Sequence, residues 1–202
     1  MFFLKSVDDD TERELEERLR FQVYCTEKRW LNPDDYPNGR ESDQFDIHSD
    51  RFVAISMSGE AAGTMRLIRG GAYKLPVQEY FGVELPTDAN CSELSRLTVA
   101  QAYRGTEHAI MLGLCRVVYE TGVRTGVDIA YSIMEEALFR LLKFVGFPFQ
   151  QIGDAQQTWG AYTAPYMCYT SEIVPSLKKR DETTGLAIGD YFAEEFDPLV
   201  RG

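Results

Sequence analysis

The sequence predicts an α/β domain in which a mixed, twisted sheet is flanked by helices. Three observations point there. The runs FVAIS and AAGTMRLIR are separated by the turn residues Ser58, Gly59 and Glu60, which reads as a β-hairpin. In the second half, strand-like runs (CSELSRLTVA, DIAYSIM, FQQIG) alternate with two stretches of helical periodicity, TEHAIMLGLCRVVYETGVRTG and EEALFRLLKFVGF. The chain has 202 residues and is 44% hydrophobic, enough for one packed domain over residues 1–202.

The elements follow in order. From Asp8 the acidic run suits a helix N-terminus. Leu15, Leu19 and Val23 recur every four residues and predict the buried stripe, with Arg20 and Tyr24 sharing a neighbouring face. Pro33, Pro37 and Gly39 then break regular structure in NPDDYPNGRESD, a loop longer than an ordinary connection. The hairpin comes next, then LPVQEYFG as a short helical or irregular piece, then a strand ending near Ala100. The following helix places Ile110, Leu114, Val117 and Val118 on one side. A last strand runs through AYTAPYMCYTS, with Pro165 marking a bend or an edge. The strand–helix–strand–helix–strand portion is expected to cross over right-handedly.

Composition bounds the function. The formal charge is -11, from 32 acidic and 21 basic residues, which argues against nucleic acid as a general partner. Lys178, Lys179 and Arg180 form a local basic patch, read as a solvated helix end or loop. Cys25, Cys91, Cys115 and Cys168 lack paired short spacing, and with two histidines in the chain no metal site is expected. No apolar run has the roughly 18 residues of a membrane span. The start MFFLKSVDDD has no signal-peptide core, so a soluble, cytoplasmic protein without stable membrane insertion is expected.

One cluster carries the chemistry. Glu41, Asp43 and Asp46 lie in the loop, while Arg66 and Arg96 interrupt the apolar strand patterns TMRLI and ELSRLTV. A guanidinium in or beside a sheet is costly unless carboxylates satisfy it, and the loop acids and Glu93 are available partners. A structural ion-pair network and a network that fixes a loop over a substrate cleft both fit. Strand alternation puts Glu93 and Arg96 on opposite sides, so a contact between them requires a bulge there, and a bulge opens a cleft.

Taken together, RLRFQVY, Trp30, ESDQFD, GTMRLI and ELSRLTV resemble, in order and spacing, the autoinducer-synthase branch of the GNAT N-acyltransferase fold. That branch includes acyl-homoserine-lactone synthases, long-chain N-acyl amino acid synthases and exosortase-associated acyltransferases. The likeness is strongest from Arg20 to Val99 and continues as element order beyond. The family's helix arginine and aromatic fall on Arg20 and Tyr24, its tryptophan on Trp30, and its acidic loop on Glu41, Asp43 and Asp46. Its strand arginine falls on Arg66, its Glu-x-x-Arg on Glu93 and Arg96, and a pocket aromatic on Phe81.

The resemblance implies a cleft between splayed strands, placed at LTV and IAYSI. It implies transfer of a fatty acyl group from the phosphopantetheine thioester of acyl carrier protein to an amine, with no other cofactor. Coenzyme A is the competing carrier. The turn QAYRGTEHAI has one glycine, Gly105, and Glu107 at the coming helix start, a poor cradle for pyrophosphate. The loop length and VYC–E pattern resemble the N-acyl amino acid synthases more than the lactone synthases, which use S-adenosylmethionine. The aromatic segment with Trp159, Tyr162, Tyr166 and Tyr169 is a candidate lining for an acyl chain or an aromatic amino acid. The expected product is an N-acyl amino acid. Glu41 is expected nearest the amine as general base, with Glu93 and Arg96 beside it in the catalytic set. Asp43, Asp46, Arg66, Arg20 and Trp30 are expected to order the loop. The alternatives are a lactone synthase and a non-catalytic carrier-binding module.

Overall fold

In the computed structural model, residues 2–71, 73–105 and 108–194 are described. Strand β1 (Phe2–Ser6) leads to α1 (Asp10–Phe21), β2 (Ser49–Ser56), β3 (Ala61–Arg69), α2 (Pro76–Phe81) and β4 (Cys91–Val99). Then come α3 (Ala109–Arg124), β5 (Ile129–Glu135), α4 (Glu136–Val145), β6 (Gln150–Gln151), β7 (Gln156–Thr158), β8 (Ala161–Tyr169), α5 (Ile173–Thr184) and α6 (Ile188–Ala193). The sheet order is β1-β2-β3-β4-β5-β8-β6, with β7 also on β8. Strands β1 to β4 form an antiparallel run, β4 and β5 pair parallel, and β8 returns antiparallel to β5. Of the expected crossovers, only β4–α3–β5 therefore joins parallel neighbours.

The parallel pair decides the shape of the site. Its ladder runs from Cys91↔Ile129 to Leu94↔Ser132 and stops, although β4 continues to Val99 and β5 to Glu135. At the same level the β3–β4 register shifts between Thr64 and Arg66, and Arg96 has φ 56°. An irregularity on one side of β4 thus bends it away from β5 on the other, and the sheet opens into a V. The splay falls at the expected strands.

Each sheet face has its own core. Met65 and Leu67 of β3 pack with Ile110, Leu114 and Val118 of α3. Ile68 and Tyr131 pack on the opposite face with Phe45 and Val77 of α2. Gly63 lets α3 settle directly on β3: a Cβ there would stand 2.6 Å from Ile110 Cγ2 and 2.9 Å from the Thr98 carbonyl oxygen.

Several elements differ from expectation. FFLKS, read only as a short apolar patch, is the edge strand β1, paired with β2 from Phe2↔Ser56 to Ser6↔Phe52. Helix α1 begins with a capping box between Asp9 and Glu12, and Leu19 and Val23 are buried as expected. Its main buried face, however, is ionic: Glu12, Glu16, Glu17 and Arg20 are all buried, each paired with an opposite charge. Leu15 is only half-buried. The helix then widens into a π-turn over Gln22–Glu27. Lys178, Lys179 and Arg180 lie inside α5, a helix missed in the sequence because its buried residues are Ile173 and Leu177, with Val174 partly buried beside them. Pro165 sits between the β6 and β7 pairings of β8, where its carbonyl accepts from the Ile152 amide at 3.0 Å, so its missing N–H falls outside both ladders.

Candidate active site

Three loop acids meet three arginines. Arg20 on α1 is fully buried; its Nη1 donates to Glu16 (3.0 Å) and Asp46 (2.8 Å), and its Nε pairs with Glu41. Arg66 on β3 donates to Asp43 and Asp46, each at 2.6 Å, and to the Ser95 hydroxyl at 2.9 Å. Arg96 donates through Nη2 to Glu41 and Asp43, each at 2.8 Å. The loop is thereby tied to α1, β3 and β4 at once. The positive φ at Arg96 turns its guanidinium to the loop, not to Glu93.

Glu41 is held as an anchor. It is fully buried, both oxygens are engaged by Arg20 and Arg96, and it does not line the cavity. Burial alone would raise its carboxyl, but Arg96 and Arg20 outweigh burial and hold it at about 2. A carboxylate so stabilised is a weak base. Asp46 is likewise held well below the usual range, burial being outweighed by Arg20 and Arg66.

Glu93 has the opposite environment. It is buried on β4 at the second-last rung before the sheet splays, and its one hydrogen bond is from the Val77 amide of α2, 2.7 Å. Burial pushes its carboxyl up to about 8, against smaller opposing effects of that amide, Arg66 and Arg96. The irregularity that a Glu93–Arg96 contact would require is present, but it turns Arg96 to Glu41 and Asp43.

Both sides of the splay open into one cavity of about 720 Å³. On the α1–α2 face its wall includes Asp43, Arg66, Glu93, Arg96, Tyr80 and Trp159. Behind β4 and β5 it continues as an apolar limb past Leu94, Cys115, Val118, Leu142 and Phe149. Trp30 lines the first part, stacked on Tyr24 at 5.8 Å, and the Arg96 guanidinium lies 5.3 Å from the Tyr24 ring centre. The α2 wall is Pro76, Glu79 and Tyr80, not Phe81, which is half-buried and outside the lining. Tyr80 meets Trp159 edge-on at 4.5 Å.

Of the aromatics in the late segment, only Trp159 lines the cavity. Tyr166 stacks on Phe139 in the core, and Tyr162 and Tyr169 are exposed. The segment's composition was informative, but which tyrosine faced which way depended on the β8 register. Sequence reasoning also missed Thr158 and Thr163, which line the cavity and look like ordinary strand residues. In the β4–α3 turn Gly105 has φ 97°, whereas Glu107 lies outside the described residues.

A parallel strand pair that opens beside a buried carboxyl, with an apolar limb behind it, is an arrangement for acyl transfer. Residues 19–114 match the family described as the acetyltransferase (GNAT) domain. Over those residues the chain matches a GNAT-type acyltransferase domain. Its structure is similar to that of BjaI, a CoA-dependent acyl-homoserine lactone synthase, with MTA: TM-score 0.72 and 21% identity over 96% of this chain and 98% of that one. It is also similar to FeeM, an N-acyl amino acid synthase from uncultured soil microbes: TM-score 0.71 and 17% identity over 90% and 98% of the two chains. A GNAT-family acetyltransferase from Staphylococcus aureus aligns with TM-score 0.59 and 16% identity, over 84% and 99%. At these identities the likeness is one of fold. A comparison with curated proteins finds no match. Among the described residues, no helix is long and apolar enough to cross a membrane.

Proposed function

We propose that the protein moves a long-chain acyl group from the phosphopantetheine thioester of acyl carrier protein to the α-amine of an amino acid, giving an N-acyl amino acid. Residues 1–202 act as one unit, because the sheet that carries the site extends from Phe2 to Tyr169. The observation that carries the reading is Glu93, a buried carboxyl near 8 at the edge of the splay and in the cavity wall.

Amines attack only when neutral, and a base with such a value is matched to taking the ammonium proton near neutral pH. Glu93 accepts that proton, directly or through one water. The amine nitrogen bonds to the thioester carbonyl carbon, and negative charge develops on the carbonyl oxygen. Backbone amides of the unpaired end of β4 are preorganised donors for it. Collapse breaks the C–S bond, and the leaving thiolate takes up the proton that the new amide nitrogen sheds. The acyl tail occupies the apolar limb. Asp46, Arg20 and Glu41 hold the loop that carries this wall, with Asp43, Arg66, Arg96 and Trp30 at the cavity itself. Support for carrier protein over coenzyme A comes from the single glycine of the β4–α3 turn.

The test offers carrier protein and coenzyme A, each loaded with a C12 to C16 chain, to the 20 amino acids and to S-adenosylmethionine separately, with products read by mass. An N-acyl amino acid from the carrier-protein donor is expected. A lactone, transfer from coenzyme A alone, or carrier binding without turnover would each replace the reading with a specific alternative. Glu93→Gln is expected to slow transfer about 100-fold or more and to remove the rise in rate towards pH 8.

A further inference from the structure

Strands β7 and β8 are joined by only two residues, Trp159 and Gly160, and both have positive φ, 49° and 78°. Such a turn favours Asn-Gly, and a bulky residue in its first position is strained. The hairpin holds that strain through its neighbours. A Cβ on Gly160 would stand 2.9 Å from the Cα and carbonyl oxygen of Trp30, so the turn lies flat against that backbone. The Trp159 ring abuts Tyr80, and the Gln156 amide donates to the Tyr80 carbonyl at 2.7 Å. The hairpin therefore closes the α1–α2 side of the cavity with a fixed aromatic wall.

Inside that wall, among the described residues, two buried side-chain oxygens meet no hydrogen-bond partner: Thr158 Oγ1 and Thr163 Oγ1. Both side chains line the cavity, and both are more than nine-tenths buried, with exposures of 7% and 6%. Register puts them on one face, since Thr158 pairs with Ala161, two residues from Thr163. Buried hydroxyls without partners are destabilising, so a pair of them in a cavity wall needs an explanation. The group that satisfies them has to come from the cavity.

Their position identifies that group. Glu93 is level with Tyr131 and Thr163 with Glu135, four residues further along β5, or about 13 Å. Side chains reach into that interval from both ends. An amine at Glu93 and a polar group at the threonines thus belong to opposite ends of one large acceptor. Neither hydroxyl is charged, which suits a neutral hydrogen-bonding partner, and the aromatic wall suits a flat side chain.

We infer that Thr158 and Thr163 recognise a neutral hydrogen-bonding group at the tip of the acceptor's side chain, so that the site selects large amino acids ending in such a group over those ending in apolar carbon. This rests on the acyl-transfer reading and adds its acceptor selectivity. The physical basis is that an acceptor lacking the group leaves two buried hydroxyls unpaired.

The experiment compares wild type with Thr158→Val, Thr163→Val and the double variant. Acceptors are tested in pairs, tyrosine against phenylalanine and glutamine against norleucine. Two readouts are taken: product formation, and the shift in melting temperature that each acceptor induces without donor. Wild type is expected to prefer the polar member of at least one pair. Each single variant should raise its KM about 3- to 10-fold, and the double variant should bring the preference close to one. The ligand-free variants should melt at or above wild type, because removing an unpartnered hydroxyl relieves a cost. Equal treatment of both pair members by wild type, a preference that survives in the double variant, or ligand-free variants that melt lower would each overturn the inference. Acceptor-induced shifts that obey the pattern without turnover would sustain it while removing the acyl-transfer reading.

Discussion

Two buried carboxyls of this site sit at opposite ends of the titration range, and their contributions to stability have opposite signs. The ordinary value for both is 4.5. Glu41, held at about 2, stabilises the fold above the unfolded value, and this is lost as pH falls from about 4.5 towards 2. Glu93 keeps its proton in the fold up to about 8, so its contribution is complete below about 4.5 and is lost as pH rises through 8. Melting curves across pH should therefore show Glu93→Gln declining less than wild type between about pH 5 and 9. Equal slopes would mean that Glu93 is already ionised in the fold. Arg96→Ala leaves Glu41 and Asp43 short of a partner in a nearly dry cluster. The expected loss is about 3–5 kcal/mol. Thermal unfolding checks it, and a melting temperature like that of wild type would show that Arg20 and Arg66 suffice.

At the level of elements, what could be read in advance depended on where each element finds its partners. The β2–β3 hairpin was legible because alternation and a tight turn are local, and α3 because Ile110, Leu114 and Val118 share one stripe. Strand β1 was not, since Phe2–Ser6 acquires its meaning from Ser49–Ser56, more than forty positions away. The buried face of α1 was hidden for another reason: glutamates and arginines on a helix normally signal water, and only the assembled cluster shows where they point. The acidic loop was recognisable as a cluster, but the assignment of Glu41 and Glu93 turned on the bend at Arg96, which alternation alone only hinted at. Gly63 offers a direct check on the contact between α3 and β3. Gly63→Ala forces a methyl group against Ile110 and the Thr98 carbonyl, and about 1–3 kcal/mol should be lost. Chemical denaturation reads this, and an unchanged midpoint would show that α3 can move off β3 at little cost.

Across the whole molecule, one cavity connects the two faces of a single sheet, with polar groups on one side and an apolar limb on the other. The limb's contents are expected to add to the core. A non-hydrolysable long-chain acyl thioether of pantetheine should raise the melting temperature progressively with chain length, whereas the arm without a chain should raise it little. A shift independent of chain length would place the tail elsewhere.

The gap between β4 and β5 can also be viewed as a timing device. Beyond Leu94 and Ser132 the two strands keep backbone groups that no neighbouring strand claims across the V. The sheet is in this sense one strand short until an extended donor lies between them. Amide hydrogen exchange should then be quick at Ile133 and Glu135, whose N–H groups face the V, in the free protein and slow once the donor arm is seated, while Met134 stays protected on β8. The protein would be most ordered at the moment of reaction and would loosen as the spent carrier withdraws.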